Sequence, residues 1–275
     1  MTENIPLWIM EKGETPLIAT AIHNGHYVRE ELKRYMLIDE KDRLREEDPY
    51  TAEFTEISDS KIVVNISRFE VDFNRPKEKA IYLKPEDAWG LKVWKEIPPK
   101  EVIERSLKEY ELFYKELTQF LNQFKKEFGV FVVYDIHSYN HRRKGKDAPP
   151  EDPEKNPEIN VGTRTMKNRE KFQPIIDRFI KDMRSYNFFG RSLDVRENVR
   201  FFGGYFPKWI HERYPDNACV LSIEFKKIFM DEWTGEIYPE IFEELKKALK
   251  STVPGVLEEL KKLRENVWNT CLPNL

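Results

Sequence analysis

A long amphipathic stripe between two short β-type runs most restricts how this chain can fold. Over residues 99–129, apolar positions recur at steps of three and four, which places them on one helical face: Ile103, Leu107, Tyr110, Phe113, Leu117, Phe120, Phe124 and Phe128. Gly129 is suited to ending this helix. The β-branched runs 61–66 and 130–136 flank it. A strand, a helix and a strand predict a right-handed crossover between parallel strands.

Other periodic segments extend the same pattern. A helix is predicted over residues 168–186, with Pro174 in its first turn. From Pro239 the chain is predicted to be helical, with an interruption at Pro254-Gly255 before residues 256–268. Strands are predicted at residues 17–22, 61–66, 130–136 and 218–225. The alternation of strands and helices predicts an α/β sheet protein.

One charged, proline-rich segment interrupts the periodic pattern. Residues 141–160 have no apolar period, which predicts a mobile surface loop within a single domain of residues 1–275. Because the loop directly follows the strand that ends at His137, it is a candidate lid, with positive charge from Arg142, Arg143 and Lys144. A plain connector is the alternative.

Charge and composition exclude several classes of protein. The 46 Lys and Arg residues are balanced by 49 Asp and Glu residues, for a net charge of −3, and no basic stripe would attract nucleic acid. No apolar run is long enough to span a bilayer, and the N-terminal segment is unlike a signal peptide. Cys219 and Cys271 make neither a disulfide framework nor a zinc-ribbon spacing. We therefore expect a cytoplasmic protein with no nucleic-acid or membrane partner.

Three histidines lie at or just after the ends of predicted strands. His23 and His26 follow the first strand with Gly25 between them, and His137 closes another strand. Ligands of open α/β sheets bind beyond the carboxyl ends of the strands, and imidazole is a common zinc ligand. Asp135 points to the same side as His137 and is suited to orienting its ring. The sequence predicts a zinc site with one open position; surface histidines and a buried Asp–His pair are the alternatives.

The segment RLREEDPYT offers a replacement ligand. It is charged and turn-like, and it contains Glu46, Glu47 and Asp48. If His26 does not reach the ion, Asp48 is the alternative ligand.

Glu224 stands out within an otherwise apolar strand. It alternates with Ser222 and Lys226, so its carboxylate either faces solvent at a sheet edge or enters a polar cleft. In a cleft, partial desolvation would raise its pKa, and it would be able to take a proton from metal-bound water.

The segment SRFEVDFNR follows the second predicted strand. Arg68 and Arg75 surround Asp72 and Asn74, a set that is able to clamp a substrate carboxylate while Asp72 holds one arginine in place. Ordinary surface salt bridges are the alternative.

These motifs occur in an order that resembles the N-formylglutamate amidohydrolase family. The order is HNGH, SRFEVDFNR, DIHS, GGYF and then Ile223-Glu224, and it spans about residues 17–230. More distantly it is similar to the aspartoacylase and succinylglutamate desuccinylase branch of zinc-carboxypeptidase-like hydrolases. The most specific parts are VDFNR and DIHS.

The resemblance implies an α/β fold with a mixed, largely parallel central sheet flanked by helices, as in zinc-carboxypeptidase-like (phosphorylase/hydrolase-like) proteins. It implies a zinc-dependent hydrolase of a linear amide bond that removes an N-formyl or other N-acyl group from an acidic amino acid such as N-formylglutamate. The partner would be a small-molecule substrate, and a homo-oligomer is allowed. A carboxypeptidase-like or aspartoacylase-like enzyme with another substrate, or a non-catalytic binding protein of this fold, remain alternatives.

The resemblance also implies roles for particular residues. Glu224 would be the general acid and base, and Arg68 would polarise the scissile carbonyl or bind a second carboxylate. The related deacylases carry His and Glu three residues apart after the first strand, whereas this chain carries His26 in the second place. The implied metal ligands are His23, His26 and His137; the implied substrate-binding residues are Asn74, Arg75 and Ser138; the implied pocket wall comprises Gly162-Thr163 and Gly203-Gly204.

Overall fold

The β-type runs of the sequence assemble into one seven-stranded sheet. The computed structural model describes residues 6–271. The strands, in chain order, are β1 (Trp8–Glu11), β2 (Leu17–Ala21), β3 (Ser60–Val64), β4 (Phe131–Tyr139), β5 (Ile159–Gly162), β6 (Val195–Glu197) and β7 (Ala218–Lys226). Their order across the sheet is β1-β3-β2-β4-β7-β5-β6.

The sheet is mixed and largely parallel, as expected. Strands β3, β2, β4 and β7 are parallel neighbours, so their carboxyl ends meet at one edge. β1 pairs antiparallel with β3, and β5 pairs antiparallel with β7 and parallel with β6. The crossover between β3 and β4 joins parallel strands, with β2 inserted between them.

The three predicted helical regions are present, with two corrections. The helix predicted from the apolar stripe is present, and Gly129 ends it with a φ of +72°. The start of α5 at Arg169 lies within one residue of the prediction, but Pro174 is the sixth residue of the helix and so lies in its second turn rather than its first. The C-terminal break falls at Thr252, so Pro254 and Gly255 lie in the first turn of the last helix. The helices are α1 (Glu30–Lys33), α2 (Glu40–Glu46), α3 (Thr51–Phe54), α4 (Lys100–Phe128), α5 (Arg169–Ser185), α6 (Tyr205–Arg213), α7 (Pro239–Ser251) and α8 (Val253–Cys271). Of these, α1, α2, α3 and α6 were not predicted.

Apolar layers cover both faces of the sheet because side chains alternate along each strand. In β4, Phe131 and Val133 join the layer built with α4 and α6, whereas Val132, Tyr134 and Ile136 join the layer built with α5, α7 and α8. Burying both faces explains why the central strands are almost continuously apolar.

The loop after β4 has no helix or strand from residue 141 to residue 158. Its parts are nonetheless joined, because the Glu151 amide donates to the His141 carbonyl at 2.8 Å and Arg200 pairs with Glu151 at 3.1 Å. Its use as a lid stays a prediction. Among the residues described, no helix is both long and apolar enough to cross a membrane.

A buried histidine connects α6 to the sheet. His211 is 1% exposed; its Nδ1 lies 2.9 Å from the Thr165 hydroxyl, and its Nε2 accepts a hydrogen bond from the Val220 amide at 3.1 Å. Burial lowers the pKa of His211 to about 4. The ring is therefore neutral at pH 7.

We predict that His211 makes the folded protein sensitive to acid. The unfolded chain binds the proton near pH 6.5 and the folded chain only near pH 4, so stability is lost as pH falls through that window. The free energy of unfolding of the wild type should fall more steeply than that of His211→Gln between pH 6.5 and 4. Parallel curves from chemical denaturation at several pH values would contradict this.

Candidate functional site

The candidate site lies where one face of the sheet changes from apolar to polar. On the face covered by α4, the alternation of β4 continues from apolar residues to Asp135 and His137. Thr20 and Ser222 donate hydrogen bonds to the Asp135 carboxylate at 3.1 Å and 3.3 Å. His137 lies opposite Glu224 in the register of β4 and β7. The polar layer thus occupies the carboxyl edge of the parallel strands, as the sequence predicted.

Two histidines share one carboxylate in this layer. His23, Asp48 and His137 are 2–3% exposed, and each offers a ligand atom within 4.8 Å of those of the other two. Oδ2 of Asp48 lies 3.0 Å from Nδ1 of His137 and 3.5 Å from Nδ1 of His23. We call these three residues the His–Asp–His cluster.

The far nitrogen of each imidazole has a carboxylate of its own. Nε2 of His23 lies 2.7 Å from Oδ1 of Asp72, and Nε2 of His137 lies 3.1 Å from Oδ1 of Asp135. Such outer carboxylates orient the ring and raise its basicity in metal sites. The sequence predicted this role for Asp135 but not for Asp72, which was expected only to hold an arginine.

The donor set fits a divalent cation. Two imidazole nitrogens and one carboxylate, with a fourth position open, are typical of catalytic zinc sites. Burial raises the pKa of Asp48, but the hydrogen bonds from His137 and His23 outweigh it and hold that pKa below its usual value. His23 and Arg68 likewise outweigh burial and hold the pKa of Asp72 well below its usual value, so the buried carboxylates of Asp48 and Asp72 carry negative charge that a cation would help to compensate.

A buried lysine fixes the segment that presents Asp48. Nζ of Lys227 donates to the carbonyls of Arg45 and Glu47 at 2.6 Å and 2.8 Å, and the Asp48 amide donates to the His23 carbonyl at 3.0 Å. Burial lowers the pKa of Lys227 to about 8. Lys227 follows the last residue of β7, and no sequence motif pointed to it.

His26 is not brought to the cluster, in contrast to the implied ligand set. Its Nδ1 contacts the Glu47 carboxylate, its carbonyl accepts a hydrogen bond from Arg43 at 3.0 Å, and its side chain is 39% exposed. The end of α2 instead delivers Asp48, the alternative ligand of the sequence analysis. The backbone turns at Gly25, where an added Cβ would lie 2.3–2.5 Å from the backbone of Asn65 and Ile66.

Glu224 faces the same cavity as the cluster rather than a solvated sheet edge. Burial raises the pKa of Glu224 to about 8; Asp48 and Asp135 raise it as well, while His137 and Arg68 lower it. Glu224 lines the cavity together with the three residues of the cluster.

Arg68 lines the cavity and is held from three sides. It donates to Asp72 at 3.0 Å and to the Tyr82 hydroxyl at 3.1 Å, and its guanidinium lies 4.8 Å from the ring centre of Trp89. The Tyr82 hydroxyl also donates to Asp72. Asp72 therefore connects the arginine of the cavity to His23 of the cluster.

Of the other three predicted substrate-binding residues, two line the cavity and one does not. Asn74 lines the cavity, and its Oδ1 accepts from the Phe206 amide at 2.8 Å, which leaves its NH₂ group available. Ser138 also lines the cavity, and its hydroxyl lies 3.5 Å from Asp48. Arg75 does not line it, because its guanidinium packs on the Tyr82 ring and donates to the Asp87 carbonyl.

The cavity measures about 200 Å³. Trp89, Phe201 and Phe202 form an aromatic wall, and Gly203 and Gly204 line it as the resemblance implied. Gly162 supports that wall from behind, because an added Cβ there would lie 2.6 Å from the Gly203 amide nitrogen. The volume is below the roughly 300–1,000 Å³ usual for drug-sized ligands, so it suits a small metabolite.

A set of two histidines and an aspartate, with a carboxylic acid and an arginine beside it, is typical of hydrolases that use a divalent cation. The family model of N-formylglutamate amidohydrolase matches residues 15–230. The chain belongs to the N-formylglutamate amidohydrolase family, whose members hydrolyse an amide bond.

Solved structures share the fold at low sequence identity. The crystal structure of N-formylglutamate amidohydrolase from Ralstonia eutropha JMP134 matches with a TM-score of 0.69 and 16% identity, over 94% of this chain and 98% of that chain. A gene product from Agrobacterium tumefaciens matches with a TM-score of 0.60 and 16% identity, over 89% and 92% of the two chains. Comparison with curated proteins gives no significant match.

We predict that Gly25→Ala displaces the turn that carries His23. The added methyl would overlap the backbone of Asn65 and Ile66, whereas at Gly90, with a φ of +94°, nothing lies within 4 Å. Gly90→Ala should cost only the roughly 1–2 kcal/mol of a left-handed backbone. Thermal unfolding should show a larger loss for Gly25→Ala than for Gly90→Ala; equal losses would contradict the close approach.

Proposed function

We propose that the protein is a zinc-dependent amidohydrolase that removes the N-formyl group, or another small N-acyl group, from an acidic amino acid such as N-formylglutamate. The observation that carries the proposal is the His–Asp–His cluster beside Glu224 in one small cavity. Membership of the N-formylglutamate amidohydrolase family supports the reaction and the substrate.

The proposed ligands are His23, Asp48 and His137. Zinc accepts mixed imidazole and carboxylate ligands, and Asp72 and Asp135 lie where outer partners of the two histidines are expected. When bound, such an ion supplies Lewis acidity and lowers the pKa of a water molecule. His26 has no ligand role in this proposal.

Glu224 is the proposed general base and acid. Its raised pKa favours the protonated form in the ion-free protein, and a nearby cation would favour the carboxylate. In that form Glu224 takes a proton from the attacking water. It then delivers the proton to the amide nitrogen, so that the free amino acid leaves.

Arg68 and Asn74 are proposed to hold the substrate near the scissile bond. Arg68 donates to the carbonyl oxygen as negative charge develops there, and the Asn74 NH₂ group donates to the α-carboxylate. Ser138, implied as a substrate contact, is better placed to orient Asp48. Arg75 is proposed to support Tyr82 and Asp72 from outside the cavity.

We predict that Glu224→Gln retains the metal and loses turnover. Glutamine preserves the size of the side chain but accepts no proton, so kcat should fall by about 10²–10⁴-fold. Elemental analysis should find equal zinc in the variant and the wild type. Glu240→Gln, an exposed carboxylate on α7, is the control and should keep full activity. Full activity of Glu224→Gln on N-formylglutamate would rule out the assigned role.

We predict that Asp48→Ala loses the metal whereas His26→Ala keeps it. Removal of a ligand should weaken zinc binding by more than the roughly 10–100-fold typical of outer partners. Zinc affinity is measured by competition with a chromogenic chelator. Loss of zinc from His26→Ala with retention in Asp48→Ala would restore the ligand set implied by the resemblance.

A further inference from the structure

We propose that Arg143 binds the side-chain carboxylate of the substrate and so selects acidic amino acids. This inference rests on the proposed function and deepens it, because it names the residue that distinguishes the side chain of the amino acid released. Arg143 belongs to the loop after β4 and lines the same cavity as the His–Asp–His cluster.

The cationic side chains that line the cavity differ in the partners they already have within the protein. Arg68 is paired with Asp72, and Lys227 donates to two backbone carbonyls. Within the part of the chain that the structure describes, Arg143 makes no ion pair. An arginine without a partner presents its full set of donors, in the planar geometry that matches a carboxylate.

The backbone directly before Arg143 is fixed, although its side chain is free. The buried carboxylate of Glu232 accepts hydrogen bonds from the amides of His141 and Arg142 at 2.7 Å and 3.0 Å. The Arg142 carbonyl accepts a hydrogen bond from Nε1 of Trp233 at 3.2 Å. These contacts hold the start of the loop against the body of the protein, so that binding has to order the side chain of Arg143 but not the backbone before it.

Two cations from separate segments suit a substrate with negative charge at two places, the oxygen of the scissile carbonyl near Arg68 and a side-chain carboxylate near Arg143. Arg68 comes from the connection after β3, next to Asn74, and Arg143 comes from the loop after β4. Arg68 and Asn74 are proposed to lie near the scissile bond. Among the described residues, Arg143 is then the unpaired cation of the cavity that remains to bind the side-chain carboxylate of the substrate. The exposed rings of Trp89 and Phe202 offer a competing preference for apolar side chains, which the experiment distinguishes.

The turnover experiment compares N-formylglutamate with N-formylglutamine, which has nearly the same shape but no side-chain charge. Arg143→Ala should raise KM for N-formylglutamate by about 10–100-fold, the value of a charged hydrogen bond, and leave kcat within a few-fold. Its kcat/KM for N-formylglutamine should stay within about threefold of the wild type. Arg143→Lys should be intermediate. Arg142→Ala, the adjacent arginine, which does not line the cavity, should match the wild type on both substrates.

A binding experiment with glutarate separates this inference from the proposed function. Calorimetry on the zinc-loaded protein should show glutarate binding about 10–100-fold more weakly to Arg143→Ala than to Arg142→Ala. Equal affinity, or equal losses of kcat/KM on both formyl substrates, would overturn the role of Arg143. A wild type that prefers N-formylmethionine would overturn it in favour of the aromatic wall. A wild type that binds glutarate through Arg143 but hydrolyses no formyl amino acid would instead contradict the proposed reaction.

Discussion

The carboxylate of Asp48, buried between two imidazoles, is the interaction on which the site depends. His23 follows β2 and His137 lies within β4, and the pairing of these strands brings the two histidines close; the Asp48 carboxylate then joins both imidazoles to the connection after α2. The contact requires Lys227, which satisfies the carbonyls on both sides of Glu46. A buried charge is stable only when it is paired. The atoms that pair the Asp48 carboxylate with the two imidazoles are also the candidate metal-binding atoms.

Much of the fold was predictable because its signals are local and periodic. The spacing of its apolar residues was enough to predict α4, and Gly129 ends that helix as expected. The parallel arrangement of β3 and β4 followed from the crossover rule, but the insertion of β2 between them depends on long-range pairing that periodicity does not encode. Pro174 was expected in the first turn of α5 because proline is favoured there, although the start of the helix was predicted to within one residue.

The candidate site was predictable where its residues lie within strands or in the motifs that directly follow them. His137 and Glu224 were identified from their places in apolar runs, and the register of β4 and β7 sets them side by side. His26 was implied as a ligand by its spacing from His23, whereas Asp48 lies beside His23 and His137 because of the fold of a polar connection that carries no periodic signal. Arg75 was assigned to substrate from the VDFNR motif of the resemblance, whereas its guanidinium packs on the Tyr82 ring.

Asp72 does more than orient the ring of His23, because it contacts both His23 and Arg68. When the Asp72 carboxylate interacts more strongly with the guanidinium of Arg68, it interacts less strongly with the imidazole of His23. A change in the contact of Arg68 with Asp72 therefore changes the contact of His23 with the same carboxylate, and thermodynamic reciprocity requires the reverse effect to be equal. In the proposed function His23 binds the ion and Arg68 the substrate, so the two affinities are coupled through Asp72 and each is best measured at a known occupancy of the other.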